Sequence, residues 1–256
     1  MKERFINVPA PGGAMETFVT HPDRAGSFPA VIVYMDIWGV REELYDIARR
    51  VATVGYYCMV PDLYYRNGRV RHDYRDERGR AISTARLDEK RLAAVRASRD
   101  SLTDAMAIAD TGAILDFIGK GEPAHPGAVG CIGYCMGGRH VFRVAAACPD
   151  RFRASASLHG THLVTDKPDS PHLSATKFRG QLYCGFGEKD GHAAAPIRKS
   201  LDEVMKGVAV KYVNEFHLGA EHGYALPERD VYHKQAANRD WERIFAMFRE
   251  QLAPPA

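Results

Sequence analysis

Gly127-Ala-Val-Gly-Cys-Ile-Gly-Tyr-Cys-Met-Gly-Gly138 is the stretch on which the reading of this chain turns. Its first part, Gly127 to Tyr134, is short and apolar, the composition of a buried strand. Met136 to Ala147 follows as a helix. Between them Gly133-Tyr-Cys-Met-Gly137 forms a G-x-C-x-G pattern at a strand-to-helix junction. A bend this sharp strains the backbone of its central residue. Side chains two positions before or after would collide with the turn, so only small residues fit there. The bend lifts Cys135 above the sheet edge at a helix N-terminus, where unpaired N–H groups and the helix dipole favour a thiolate. It also aims the amide of Met136 at a developing oxyanion.

Outward from this point the chain alternates. Pro29–Tyr34 and Tyr56–Val60 read as strands, and Glu42–Val54 carries Leu44, Ile47, Ala48 and Val51 at helical spacing. Strand, helix, strand with short connections is a βαβ unit and implies a parallel sheet. Asp100–Lys120 predicts a helix with Asp100 or Ser101 as its cap. Ala154–Leu158, Gln181–Phe186 and Val208–Phe216 read as further strands, with a helix at Ala194–Lys206 and a long amphipathic one from about Asp230 to Leu252. The expectation is an α/β fold: a mostly parallel, doubly wound sheet flanked by helices, in a single domain spanning residues 1–256.

Bulk properties narrow the function. A net charge of +3 is too small to imply nucleic acid, though an anionic small molecule stays open. No window approaches the ~20 apolar residues of a membrane helix, and Met1–Met15 holds no signal-like apolar run. Five cysteines, an odd number, do not resemble a disulfide framework and read as thiols in a reducing, cytoplasmic setting. Cys131 and Cys135 do not converge as metal ligands would.

A cysteine needs a base, and the base an orienter. In an α/β-hydrolase fold both follow the nucleophile, acid before histidine, each on a loop after a later strand. The loop after the strand Gln181–Phe186 offers Asp190, with Glu188 nearer the strand as its rival. After Val208–Phe216 comes Gly219-Ala-Glu-His-Gly-Tyr224, with His222 at its centre. His217, His159 and His192 compete. Only His222 sits in a tight loop after the last strand and before the final helix.

These residues resemble the dienelactone hydrolase family over most of the chain. The likeness rests on Val31-Ile-Val-Tyr-Met-Asp-Ile-Trp-Gly-Val40, Val60-Pro-Asp-Leu-Tyr64, the Gly-Tyr-Cys-Met-Gly-Gly elbow, the Asp190 and His222 loops, and Tyr232, Ala236-Ala237 and Trp241 near the C-terminus. The resemblance implies an α/β-hydrolase fold and a Cys135–His222–Asp190 triad. It also implies hydrolysis of lactones or small esters through an acyl-enzyme, without metal or organic cofactor. It puts Asp36 at the position of a carboxylate, usually glutamate, that contacts the nucleophile at rest, and makes Ile37 the second oxyanion amide beside Met136. Asp76-Glu-Arg-Gly-Arg80 matches a family stretch whose arginine holds a substrate carboxylate, so Arg80 becomes a candidate anion clamp. The family's other arginine, four residues after the histidine, is Leu226 here. Leucine cannot replace a directional guanidinium–carboxylate contact, so this departure argues against the same substrate. Met35, Trp38 and Tyr64 are candidate pocket walls. Arg66, Arg69, Arg71, Arg75, Arg78 and Arg80 read either as a cationic lip or as a solvated loop. Two rival readings remain: a catalytically silent ligand-binding hydrolase fold, and a thiol redox protein using Cys131 with Cys135.

Overall fold

The computed structural model describes residues 1–252. Eight strands run in chain order as β1 (Lys2–Ala10), β2 (Gly13–His21), β3 (Phe28–Tyr34), β4 (Tyr57–Pro61), β5 (Ala124–Tyr134), β6 (Phe152–Leu158), β7 (Gln181–Lys189) and β8 (Lys211–Glu221). They form one sheet in the order β1-β2-β4-β3-β5-β6-β7-β8. Neighbours from β4 to β8 pair in parallel, and only the β1–β2 and β2–β4 pairs are antiparallel. This is the α/β-hydrolase arrangement expected above. β3 and β5 are central because their side chains, from Ala30 to Tyr34 and from Val129 to Tyr134, are apolar on both faces and must be covered twice.

Helices α1 (Glu42–Thr53), α2 (Glu89–Asp100), α3 (Asp104–Ile118), α4 (Met136–Ala147), α5 (Ala195–Lys206) and α6 (Lys234–Gln251) fill the connections. α1 buries Leu44, Ile47, Ala48 and Val51, the stripe its spacing predicts. It meets α6 where Arg50 stacks on Trp241 at 4.4 Å. α3 reaches the sheet on the other side, where Thr111 Oγ1 and Tyr34 OH share a hydrogen bond of 2.8 Å. No helix among the described residues is long and apolar enough to cross a membrane.

Several boundaries differ from expectation, among them the start of β5 at Ala124 and the end of β7 at Lys189. α3 begins at Asp104, capped by Thr103, whose hydroxyl accepts the Met106 amide at 3.2 Å. Asp100 and Ser101 instead end α2, a helix the apolar pattern conceals because charges ring it and Val95 is its one fully buried residue. β8 starts three residues later than Val208 and continues through Glu221, which puts His217 inside the strand. α6 begins at Lys234; Asp230 stays outside it and accepts the Ser83 amide at 3.0 Å. The hairpin of β1 and β2, joined by Pro11–Gly12, was not anticipated at all. β1 is an edge strand with most of its residues exposed, so it lacks an apolar face for the sequence to display.

The parallel strands end together. The loops after β3, β5, β6, β7 and β8 therefore converge on one sheet edge, the usual location of a site in an open α/β sheet.

Candidate active site

Cys135 caps α4 with φ 54° and ψ −113°, a left-handed conformation that a side-chain-bearing residue seldom adopts. The backbone around it is tightly bound. Its N–H donates to Leu158 O at 3.1 Å, and its carbonyl accepts the amides of Gly138 at 3.0 Å and Thr161 at 3.1 Å. The flanking glycines are required. A Cβ on Gly133 would lie 2.1 Å from Gly137 O, and one on Gly137 would lie 2.4 Å from Tyr34 O. Met136 supplies the first amide of α4, which has no acceptor within the helix.

His222 immediately follows β8, and its Nδ1 meets Asp190 Oδ2 at 2.7 Å. Asp190 is buried at the end of β7, and its other oxygen accepts the His192 amide at 2.8 Å. Glu188, the rival acid, is turned away to accept the Gly219 amide at 2.8 Å. Burial is the largest influence on the imidazole and disfavours its charge. The Cys135 sulfur, acting as nearby charge and hydrogen-bond partner, and the Asp190 carboxylate outweigh burial and push His222 up to about 10. Of the competing histidines His217 is committed elsewhere, while neither ring nitrogen of His159 has a hydrogen-bond partner among the described residues. His217 pairs with buried Asp240 at 2.7 Å, and His159 is fully buried beneath His222, ring centroids 5.1 Å apart. His192 packs its ring 5.3 Å from that of His222. Cys131 is buried in β5 with its thiol on Ser155 Oγ at 3.6 Å, and burial pushes it up to about 12.

A cavity of about 450 Å³ opens over these groups, and Asp36, Ile37, Trp38, Cys135, Asp190 and His222 all line it. Ile37 has no backbone acceptor for its amide among the described residues. Asp36 is present but committed: Arg41 grips its two oxygens at 2.8 and 3.0 Å, and Oδ1 also accepts the Trp38 amide at 3.0 Å. No hydrogen bond joins Asp36 to Cys135 among the described residues. Tyr64 stands behind the wall rather than in it, donating to Ile37 O at 3.1 Å.

Arg80 lies outside the cavity. It closes an exposed turn on Asp76, with Nε to Oδ2 at 2.9 Å, because a short acid-rich turn satisfies its guanidinium locally. Four of the five other arginines of that loop are likewise held by acids: Arg66 by Asp110, Arg69 by Glu16, Arg71 by Asp62, and Arg75 by Asp73 and Glu228. The segment is a strap stitched to the surface. Three unanticipated arginines line the cavity instead: Arg96, Arg99 and Arg229. Arg96 and Arg99 share a face of α2 with Leu92, a spacing readable only once the helix is known. Arg229 lies 4.4 Å above the Trp38 ring, and its buried Nε has no hydrogen-bond partner among the described residues. Burial lowers its pKa from the ordinary value, while Asp36 opposes that fall. Among the described residues no group of three or more His, Cys, Asp or Glu side chains could hold a metal ion.

The chain has known counterparts. The chain is 25% identical over 255 residues to a protein of Synechocystis sp. named "Putative carboxymethylenebutenolidase", covering 98% of each chain. It is 27% identical over 254 residues to an Escherichia coli (strain K12) protein of the same name, covering 96% of this chain and 86% of that one. A crystal structure of a "Putative Dienelactone Hydrolase" from Klebsiella pneumoniae superposes with a TM-score of 0.82 at 23% identity, over 96% of this chain and 98% of that one. The model of the dienelactone hydrolase family matches residues 15–252, which include the elbow and both later loops. With that match spanning nearly its whole length, the chain belongs to the dienelactone hydrolase family and is a hydrolase of esters or lactones.

Proposed function

We propose that the hydrolysis proceeds through a thioester on Cys135, with His222 as base and Asp190 as its orienter. The observation that carries this reading is the 2.7 Å contact of Asp190 with His222 Nδ1, opposite a cysteine held at φ 54°. Asp190 occupies Nδ1, which leaves Nε2 for the thiol proton. Cys135 Sγ attacks the carbonyl carbon, and the oxyanion rests on the amides of Ile37 and Met136. Collapse expels the alkoxide, which takes the proton from His222. Water, deprotonated by His222, then cleaves the thioester and restores the thiolate.

His222 must be charged before acylation and neutral after it. The Cys135 sulfur is a principal upward influence on its pKa, and acylation removes that negative charge, returning the imidazole toward a base. In an NMR titration, His222 should remain protonated up to about 10 in the parent enzyme. In Cys135→Ala it should titrate markedly lower; an unchanged titration would contradict the coupling. The direct test of the mechanism is intact-mass analysis during turnover of an activated ester. One acyl group should reside on the peptide bearing Cys135 and be released by hydroxylamine. An acyl group on another residue would overturn the assignment.

The substrate is a small ester or lactone with an anionic group, received by Arg229. Arg229 lines the reaction cavity, and a buried guanidinium that lacks a partner for its Nε is costly unless an anion bound beside it offsets the charge. Arg229→Met should raise KM for a carboxylated ester roughly 10- to 100-fold, the worth of a charged hydrogen bond, and leave a neutral ester of equal size nearly unaffected. Arg80→Ala should change neither. Equal losses on both substrates in Arg229→Met would remove the anion from the proposal.

A further inference from the structure

The loop Met35–Val40 has an awkward task. It leaves the end of β3, belongs to no ladder, and must still hold the Ile37 N–H toward Cys135. Two backbone bonds hold it, Gly39 N–H to Asp36 O at 3.4 Å and His72 N–H to Trp38 O at 3.1 Å, and side chains supply the rest. Asp36 Oδ1 accepts the Trp38 amide at 3.0 Å, folding the loop back over the Ile37–Trp38 peptide. Tyr64 OH holds the Ile37 carbonyl at 3.1 Å. Arg41, the cap residue of α1, ties the arrangement together. Its two terminal nitrogens bind the two Asp36 oxygens at 2.8 and 3.0 Å, and one also donates to Gly39 O at 3.2 Å. Its Nε and the other nitrogen bind Glu43 Oε2 at 3.0 and 2.6 Å. Glu43 Oε1 in turn accepts the Glu228 amide at 2.7 Å, next to Arg229.

The guanidinium therefore has a partner for each of its three nitrogens, and two carboxylates face one cation. Burial disfavours the charge, but Asp36 and Glu43 raise the Arg41 pKa above its ordinary value. A bidentate fork fixes the plane of a carboxylate, which an ammonium does not do. The carboxylate so fixed sits on the cavity wall one residue before the oxyanion donor.

We propose that Arg41 is the positioning residue of the oxyanion hole: its fork holds Asp36 against the Trp38 amide, and this clamp aims the Ile37 N–H at the carbonyl oxygen of a substrate on Cys135. The proposal rests on the reading of Cys135 as nucleophile. It gives Asp36 a structural task at the site, since both of its oxygens are engaged and would have to leave Arg41 before reaching the thiol.

Arg41→Lys keeps the cation and loses the fork; Asp36→Asn keeps the shape and weakens the grip. Both are assayed on a neutral activated ester, so that Arg229 does not enter. Cys135 alkylation by iodoacetamide is followed in parallel across pH, because that displacement builds no oxyanion. A simple aldehyde, which adds to the thiolate as a thiohemiacetal, reports the oxyanion hole directly. We expect kcat to fall roughly 10- to 100-fold in Arg41→Lys, the cost of a displaced rather than a deleted donor. Aldehyde affinity should weaken by a similar factor, while KM, alkylation rate and its pH profile stay within about twofold. A kcat within about twofold of the parent, or alkylation lost in step with kcat, would overturn the proposal. Should Arg41→Lys fail to fold, Asp36→Asn carries the same comparison. Failure of the nucleophile reading looks different: Cys135→Ala would then retain turnover, whatever Arg41 does.

Discussion

Cys135→Ala is expected to lower kcat by about 10⁴-fold or more, because the thioester route needs the sulfur and the remaining site offers only binding and an oxyanion hole. Folding should hardly change. The thiol is small, and the left-handed conformation at φ 54° is retained because alanine also carries a Cβ. The melting temperature should stay within about 3 °C of the parent, the shift of roughly 1 kcal/mol in a chain of this size. Cys135→Gly separates the two demands made on this position. It removes the thiol and also releases the strain, which amounts to about 1–3 kcal/mol for a side chain held in a sparsely populated region. The glycine variant should therefore be inactive yet melt at or above the alanine variant, despite the greater freedom glycine gains on unfolding. A Cys135→Ala enzyme with full turnover would end the cysteine mechanism. A Cys135→Gly variant melting well below Cys135→Ala would end the claim that the elbow stores strain.

The second large effect is on folding. Gly137→Ala would put a methyl group 2.4 Å from Tyr34 O and 2.7 Å from Met35 O, and both obstacles are backbone. A side chain could rotate away; the end of β3 cannot move without displacing the Ile37 loop. Gly133→Ala meets Gly137 O at 2.1 Å, on the opposite limb of the same turn. Each substitution should cost about 3 kcal/mol or more, at the upper end for overpacking. That corresponds to a melting point lower by roughly 6–12 °C. Thermal denaturation of the two variants checks this, and a loss under about 1 kcal/mol in either would mean that the turn is looser than its contacts indicate. Gly191, where an added Cβ would meet nothing within 4 Å, is the control.

The parts of this molecule legible in sequence are those whose cause is local. The elbow could be read because glycine spacing, a buried strand and a helix are written within one stretch of chain, and α4 runs over the expected residues. The βαβ unit could be read because α1 is amphipathic. α2 was hidden for the opposite reason: its charges surround it, and what it contributes, Arg96 and Arg99, faces a cavity instead of a core. The β1–β2 hairpin was hidden because an edge strand needs no apolar face.

Resemblance carried Arg80 toward the site, yet Asp76, four residues before it, holds it in a surface turn. The family's position after the histidine is Leu226, and the arginines that line the cavity are Arg96, Arg99 and Arg229. Resemblance put Asp36 at the position of a carboxylate that contacts the thiol, one methylene shorter than the usual glutamate, and its partner is Arg41, five residues on. Nothing in a linear pattern says which of several nearby arginines a carboxylate will choose, because that depends on where the chain folds back.

Sequence alone determined the sharp turn at Cys135, the order in which Asp190 and His222 follow it, and the alternation that builds the sheet. These follow from backbone sterics and hydrophobic period, which act between near neighbours. Tertiary structure alone decided which ionic groups meet over the sheet edge. A charge is satisfied by whatever opposite group lies within a few ångströms, and that distance is set by the packing of loops from five different strands.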